Sequence, residues 1–184
     1  MGGGADAEVE ADCEAEAPVA VEADAKTADV RIIDVGCGSG RDAAAFREMG
    51  YEVRGLDASE ELARVAAERF GIDVDVCDMA SWVAEEPFDG VWCCASLLHL
   101  DDDGVERFFQ NLTGNVTDGG AVFVSVKTGI ETGYDDKGRF MRNFTEDEIC
   151  GLMEEAGFTV KEVWYTDDGL GRSDVKWVNV IALK

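Results

Sequence analysis

The order of hydrophobic patterns along the chain constrains its fold more than any other feature. Between residues 30 and 183, short runs of β-branched residues alternate with segments whose apolar residues recur at helical spacing. Strands are predicted at 30–35, 51–56, 73–77, 88–94 and 121–127, and helices at 41–49, 59–70, 103–112 and 145–156. This alternation predicts an α/β domain with a mainly parallel sheet and helices on both faces.

The last two predicted strands, 158–166 and 175–183, are separated by a connection too short for a crossover helix. They are therefore expected to form an antiparallel hairpin, which makes the final strand antiparallel. The pattern contains no internal repeat and no second domain, so residues 30–184 are assigned to one domain.

Residues 1–29 have a different composition from the rest of the chain. They contain nine acidic residues, one basic residue and no aromatic residue. A segment so poor in large apolar side chains cannot offset the entropy lost on ordering. We therefore expect residues 1–29 to be a disordered acidic tail.

The whole chain of 184 residues is strongly acidic, with 40 acidic and 16 basic residues and a net charge of −24. This balance argues against binding to the phosphates of nucleic acids and against an anionic membrane surface. Six cysteines without a CxxC pair, and a single histidine, argue against a metal site and favour reduced thiols. We expect a cytoplasmic protein, monomeric or weakly dimeric.

A glycine-rich segment, DVGCGSG at 34–40, follows the first predicted strand. Ligands of such sheets bind at the carboxyl ends of the strands, and glycines there let the backbone approach a ligand closely. The pattern is GxGxG, because Arg41 stands where the dinucleotide fingerprint has its third glycine. A phosphate loop of the form GxxxxGK[ST] is also absent.

Two carboxylates follow the next two strands. Asp57 ends the second strand, where it can accept hydrogen bonds from both hydroxyls of a ribose. Asp78 and Met79 follow the third strand, where they can bind an adenine amino group and pack on its ring. These residues leave two interpretations open, a nucleotide-type ligand and a generic α/β domain.

Four segments, IIDVGCGSGRDAAAF, GLDAS, CDM and FDGVWCCASLLHL, together with the predicted strand GGAVFVSVK, resemble the class I S-adenosylmethionine-dependent methyltransferases. The resemblance covers about residues 30–184 and is to small stand-alone bacterial members, including those similar to tellurite methyltransferases. It implies a three-layer Rossmann-like fold whose mostly parallel seven-stranded sheet ends in an antiparallel strand. It also implies S-adenosylmethionine as the cofactor and methyl transfer as the activity.

The resemblance implies the following cofactor-binding residues: Asp34, Gly36, Cys37, Gly38, Gly40, Asp57, Ala58, Asp78, Met79, Ala95 and Ser96. The three glycines would border the methionine part of the cofactor, and Asp57 would bind its ribose. Asp78 and Met79 would contact the adenine. Ala95 and Ser96 would form the wall below the sulfonium.

One departure from the family concerns the region before the glycine segment. Family members usually have a helix there, often with an aromatic residue, that closes over the cofactor. Residues 1–29 contain no aromatic residue and no clear amphipathic face. This leaves a second function open, a non-catalytic protein of the same fold that binds S-adenosylmethionine as a sensor or engages a basic partner.

The methyl acceptor is predicted from residues near the same edge of the sheet. His99 is the candidate general base, and its alternative is a structural hydrogen bond. Lys127, Arg139 and Arg172 lie in segments that open at this edge and are predicted to bind a small anionic acceptor. The alternative for each base is an ion pair with one of the many acidic residues.

Overall fold

Residues 27–169 and 175–184 are described by the structure, a computed structural model. The strands in these ranges are β1 Arg31–Val35, β2 Glu52–Asp57, β3 Val74–Val76, β4 Phe88–Cys94, β5 Val116–Thr128, β6 Gly133–Tyr134, β7 Phe140–Met141, β8 Thr159–Asp167 and β9 Lys176–Leu183. The α-helices are α1 Arg41–Glu48, α2 Glu60–Phe70, α3 Asp102–Asn115 and α4 Glu146–Glu155. The predicted tail largely lies outside the described residues, and Thr27–Asp29 form a single 3-10 turn before β1.

Seven strands form one sheet in the order β3-β2-β1-β4-β5-β9-β8. Neighbouring strands from β3 to β5 are parallel, whereas β9 is antiparallel to both β5 and β8. The predicted α/β fold and the antiparallel final strand are thereby confirmed. The two short strands β6 and β7 form a separate hairpin. Because β1 to β5 are parallel, the segments that follow them all open at one edge of the sheet.

Local capping residues explain where the helices begin and end. The Ser59 hydroxyl accepts a hydrogen bond from the Leu62 amide at the start of α2, and Gly71 ends the helix with a φ of +64°. Thr145 caps α4 in the same way, through the amide of Glu148. These side chains satisfy amides that have no partner within the first helical turn.

The junction between α3 and β5 differs from the prediction. The predicted helix ended at residue 112 and the predicted strand began at 121, whereas α3 ends at Asn115 and β5 begins at Val116. The Lys184 ammonium lies 2.7 Å from the carbonyl oxygens of both Thr113 and Val116. A distant side chain thus satisfies carbonyls at the helix end, so the chain needs no glycine turn there.

The main hydrophobic core lies between the sheet and the helices α3 and α4. Val91 and Val124 of the sheet belong to it, together with Phe108 of α3 and Met153 of α4, all at most 3% exposed. A smaller core of Ala43, Ala66 and Ile72 lies under α1 and α2. Within the described ranges, no helix is both long and apolar enough to cross a lipid bilayer.

Candidate active site

The glycine loop, residues 36–40, turns the chain sharply from β1 into α1. The amides of Gly36 and Cys37 both donate to the Leu56 carbonyl of β2, at 2.7 and 3.0 Å. Gly36, Gly38 and Gly40 have φ values of +74°, +53° and +83°. Residues with a Cβ atom rarely adopt this conformation, so the loop requires glycine at these positions.

Gly36 and Gly38 differ in what surrounds them. A Cβ atom added at Gly36 would lie 2.2 Å from the Cβ atom of Ser96 and 3.4 Å from the Cε atom of Met79. A Cβ atom added at Gly38 would meet nothing within 4 Å. Gly36 is therefore required by packing as well as by φ, whereas Gly38 faces open space.

Asp57 connects the end of β2 to the glycine loop. Its Oδ2 atom accepts from the Gly38 amide at 2.8 Å, and its Oδ1 atom accepts from the Ser59 amide at 2.9 Å. Because each carboxylate oxygen has two lone pairs, both remain able to accept a further hydrogen bond. The carboxylate is thus held in one orientation beside the loop.

A cavity of about 280 Å³ opens above the loop, and we call it the glycine-loop cavity. Its lining residues are Asp34, Gly36, Cys37, Gly38, Ser39, Arg41, Asp42, Cys94 and Ala95. Five of these were predicted from the sequence. The other four, Ser39, Arg41, Asp42 and Cys94, were missed. Ser39 lies within the glycine segment, and Arg41 and Asp42 begin the helix that follows it, so these three could have been found.

Asp34 lies almost completely buried in this cavity wall, at 3% exposure. Burial, and then the neighbouring charges of Asp42 and Asp57, raise its pKa to about 7. An amide hydrogen bond from Ala43 and the nearby Arg41 act in the opposite direction. The carboxyl group is therefore only partly ionised near neutral pH, and a positive ligand charge would favour its ionised form.

The two cysteines of the cavity wall are protonated thiols near neutral pH. Burial raises the pKa of Cys37 to about 12 and that of Cys94 to about 12. Nearby carboxylates act in the same direction on both, Asp34 and Asp57 on Cys37 and chiefly Asp42 on Cys94. Neither thiol is therefore suited to act as a nucleophile.

The other predicted cofactor residues do not line the cavity. Ser96 is buried, and its hydroxyl donates to the Val35 carbonyl at 2.6 Å, so it supports Gly36 from below. Gly40 packs against Ala66 of α2. Asp78 caps the turn that contains Met79, since its Oδ1 atom accepts from the Ala80 amide at 3.0 Å. Asp78 and Ala58 are both exposed.

Ala95 adopts a strained backbone conformation at the end of β4. Its φ of +58° lies in the left-handed region, which costs a residue with a Cβ atom about 1–2 kcal/mol. The Ala95 amide donates to the Ser125 carbonyl of β5 at 3.0 Å, which holds the turn in place. The strain is located where the chain leaves the sheet beside the glycine loop.

A second cavity of about 320 Å³ lies beyond the end of β5, and we call it the hairpin cavity. Its lining residues are Lys127, Ile130, Glu131, Thr132, Gly133, Tyr134, Asp135, Arg139 and Met141. Two of the three bases predicted to bind the acceptor, Lys127 and Arg139, thus lie in one cavity. The third, Arg172, lies outside the described residues.

Both of these bases lie beside carboxylates. The Arg139 guanidinium binds Asp135 through two nitrogens, at 2.9 and 2.7 Å. The Lys127 ammonium lies 3.9 Å from a carboxylate oxygen of the buried Asp168 and 4.8 Å from the ring centroid of Trp177. No sequence signal identified Asp168, because this pairing joins the ends of β5 and β8.

Replacing Lys127 by methionine is expected to lower the free energy of unfolding by about 3 kcal/mol, because it removes a cation from a buried carboxylate. The Asp168 side chain is only 4% exposed. Replacing Lys176 by methionine is the control, since its pairing with Asp167 at 4.0 Å is exposed and contributes less than about 1 kcal/mol. Urea unfolding measures both, and equal effects would contradict the prediction.

His99, the predicted base, is exposed and belongs to the 3-10 turn Leu97–His99 that follows β4. Its Nδ1 atom lies 2.8 Å from the backbone carbonyl oxygen of Phe140 in β7. The histidine thus lies against the β6–β7 hairpin, whose residues line the hairpin cavity.

Both the sequence and the fold of this chain resemble those of methyltransferases. A family model described as a methyltransferase domain matches residues 32–120, from β1 into β5. In solved structures, the fold resembles that of the Burkholderia thailandensis 1,6-didemethyltoxoflavin-N1-methyltransferase, with a TM-score of 0.71 and 25% identity, covering 84% of this chain and 70% of that one. Residues 32–120 thus match a methyltransferase domain, and the fold of the chain is that of the class I S-adenosylmethionine-dependent methyltransferases.

This chain matches curated methyltransferases over only part of their length. A ubiquinone biosynthesis O-methyltransferase of Ralstonia nicotianae is 36% identical over 112 residues, which are 56% of this chain and 46% of that protein. The 18S rRNA (guanine-N(7))-methyltransferase of Schizosaccharomyces pombe is 35% identical over 102 residues, 48% of this chain and 38% of that protein. The chain therefore spans less than half the length of either relative.

The glycine-loop cavity fits the chemistry of S-adenosylmethionine, the cofactor of this family. The carboxylates of Asp42 and Asp57 are close enough to Asp34 to raise its pKa. This cluster of three carboxylates suits a ligand that carries ammonium and sulfonium charges. The open space beside Gly38 leaves room for close approach of the ligand to the backbone. Asp57 offers an oriented carboxylate for a pair of hydroxyls.

Proposed function

We propose that this chain binds S-adenosylmethionine in the glycine-loop cavity and transfers its methyl group to a small-molecule acceptor beside the β6–β7 hairpin. The observation that carries the proposal is the cluster of carboxylates around an open glycine loop, in a domain of the methyltransferase family. The domain would comprise residues 30–184, with residues 1–29 as an acidic tail.

Each group of the cavity would have a separate role in binding. Asp34, ionised by the charge of the ligand, would pair with the amino group of the methionine part. Asp57 would accept hydrogen bonds from the ribose hydroxyls. Asp78 and Met79, which follow β3 at the same edge, would contact the adenine. When bound, the cofactor supplies a methyl group on a positively charged sulfur, and that sulfur keeps the electron pair of the broken carbon–sulfur bond.

Replacing Asp57 by alanine is expected to weaken binding of S-adenosylmethionine about 10- to 100-fold, because hydrogen bonds to a carboxylate contribute about 1.5–3 kcal/mol. Isothermal titration calorimetry measures the dissociation constant. Asp73→Ala is the matched control, because Asp73 is an exposed carboxylate in the connection between α2 and β3. Unchanged affinity in folded Asp57→Ala would contradict this role.

The hairpin cavity is proposed to hold the acceptor. In the described part of the chain, its bases Lys127 and Arg139 are accompanied by the acidic residues Glu131 and Asp135. This balance of charges favours a neutral or zwitterionic acceptor over the anion predicted from the bases alone. The exposed ring of Tyr134 packs edge-on against Phe140 at 5.6 Å, which adds an aromatic surface at the cavity.

Positioning would supply most of the catalysis, since methyl transfer is an in-line displacement on an already activated donor. Holding the acceptor atom behind the methyl carbon is then the main task of the residues around the hairpin. A base is needed only where the acceptor atom must lose a proton, and His99 is proposed for that role.

Transfer of a labelled methyl group tests the proposed function. The protein is incubated with S-adenosylmethionine carrying a radiolabelled methyl group and with a small-metabolite extract, and labelled products are separated and identified. We expect label in a small molecule and none in added RNA, because the chain carries a charge of −24. Cofactor binding without any transfer would support the alternative, a non-catalytic sensor of the same fold.

A further inference from the structure

His99 ends a segment, residues 95–99, that runs from the glycine-loop cavity to the β6–β7 hairpin. The segment that leads to His99 begins at Ala95, which lines the glycine-loop cavity. Its Nδ1 atom contacts the carbonyl oxygen of Phe140 at 2.8 Å, and the neighbours of Phe140 in sequence, Arg139 and Met141, line the hairpin cavity. A group that takes a proton from an acceptor bound in the hairpin cavity would need to lie close to this hairpin.

The chemistry of this contact determines which nitrogen of His99 carries a hydrogen. A carbonyl oxygen can only accept a hydrogen bond, so the Nδ1 atom must donate one. A neutral imidazole has one N–H group and one ring nitrogen with a free lone pair, which here is Nε2. We propose that the Phe140 carbonyl holds neutral His99 in the Nδ1–H tautomer, so that Nε2 accepts the proton of the methyl acceptor.

The carbonyl of Phe140 can act in this way because the chain that follows it is held in place by Arg142. Two residues further on, the Arg142 amide donates to the Leu98 carbonyl at 2.8 Å. The Arg142 guanidinium binds Asp102 at the start of α3 and Glu148 at the start of α4, at 2.8 and 2.7 Å. The hairpin is thereby fastened to the same turn that carries the histidine.

The proposed proton transfer balances without a further reactant. The O–H or N–H bond of the acceptor breaks, its electron pair stays on the acceptor atom that attacks the methyl carbon, and the proton moves to Nε2. The imidazolium retains its hydrogen bond to Phe140, and because His99 is exposed, its extra proton can pass to water. The acceptor class is thus one whose nucleophilic atom carries a proton. This last step rests on the proposed function, whereas the tautomer does not.

Nuclear magnetic resonance tests the tautomer directly, because His99 is the sole histidine among the 184 residues. In ¹⁵N-labelled protein at alkaline pH, the protonated and unprotonated nitrogens of a neutral imidazole have different ¹⁵N chemical shifts. We expect the hydrogen on Nδ1. A predominant Nε2–H form, or an equal mixture of the two, would overturn the proposal.

Two substitutions of His99 distinguish its hydrogen bond to the hairpin from its role in proton transfer. The amide of His99→Asn reaches the position of Nδ1 and can still donate to Phe140, whereas that of His99→Gln reaches the position of Nε2. Hydrogen exchange of the Asp135 amide, which donates to the Arg139 carbonyl in the hairpin, is expected to rise about fivefold in His99→Gln only. Equal exchange in both variants would overturn the fastening role.

Methyl transfer completes the test. With the extract and label described above, His99→Asn is expected to transfer about 100-fold more slowly than the wild type at an unchanged dissociation constant for S-adenosylmethionine. Full activity of His99→Asn would overturn the role of Nε2. If the wild type transfers no label at all, the proposed function fails, and the tautomer and exchange results still decide how His99 is held.

Discussion

Replacing Asp34 by asparagine is expected to stabilise the free protein at about pH 8 by about 2–4 kcal/mol, since one pKa unit corresponds to about 1.4 kcal/mol. Asp34 is 3% exposed, and burial with the charges of Asp42 and Asp57 raises its pKa to about 7. Ionising it in the folded protein therefore costs free energy. Asparagine removes that cost. It also keeps a side-chain oxygen that can accept the hydrogen bond which the Ala43 amide donates to the Asp34 Oδ2 atom at 3.1 Å in the wild type.

The direction of the pH dependence follows from the raised pKa of Asp34. Its contribution to stability is fully present below the ordinary pKa of 3.8 and is lost as the pH rises through about 7, because the unfolded chain ionises first. The stability difference between Asp34→Asn and wild type should therefore grow across this window. Urea unfolding at several pH values measures it, with the exposed Asp103→Asn as control. A difference that does not vary with pH would contradict the raised pKa.

The same substitution is expected to weaken the binding of S-adenosylmethionine. A positively charged ligand favours ionised Asp34. Below pH 7, the affinity of the wild type should therefore rise with increasing pH, by up to about tenfold per pH unit. The affinity of Asp34→Asn should depend little on pH in this range. Calorimetric titrations between about pH 6 and 8 compare the two, and parallel pH profiles would exclude Asp34 as a partner of the ligand charge.

Replacing Gly36 by alanine is expected to lower the free energy of unfolding by about 3–5 kcal/mol, which combines overpacking with left-handed backbone strain. The new Cβ atom would lie 2.2 Å from the Cβ atom of Ser96, and the φ at this position is +74°. Gly38→Ala is the matched control. Its φ is +53° but its surroundings are open, so only the strain of about 1–2 kcal/mol applies.

A double substitution tests the physical reason for this loss. Ser96→Gly removes the atoms that an alanine at position 36 would meet, so the double variant should be less destabilised than the sum of the two single variants. Thermal or urea unfolding gives a coupling free energy, which we expect to be at least about 1 kcal/mol. Additive effects, or equal losses in Gly36→Ala and Gly38→Ala, would show that contact with Ser96 is unimportant.

Several elements were predictable because their signals are local. Strand β4 runs from Phe88 to Cys94, as the apolar run there predicted. The bounds of α2 follow from Ser59, which satisfies a free amide, and from Gly71, which adopts a left-handed conformation. Asp57 also lies next to the glycine loop as expected, because parallel neighbouring strands end at the same edge.

Other features depend on residues that are far apart in the chain. The end of α3 is satisfied by Lys184, so no local stop signal marks it. The predicted bases Lys127 and Arg139 do share a cavity, but their carboxylate neighbours, above all the buried Asp168, became visible only in the structure. A composition that counts charges contains no information about which of them pair.

The strand–helix pattern and the short final connection were enough to determine the α/β class and the antiparallel last strand, because hydrophobic periodicity and connection length act locally. Only the tertiary structure decided the properties of the site. The raised pKa of Asp34 comes from burial among carboxylates of different elements, and the need for glycine at position 36 comes from contact with Ser96. Both effects depend on distances of a few ångströms between residues in space. Residues this close in the fold are far apart in the sequence, so the sequence does not reveal the contact.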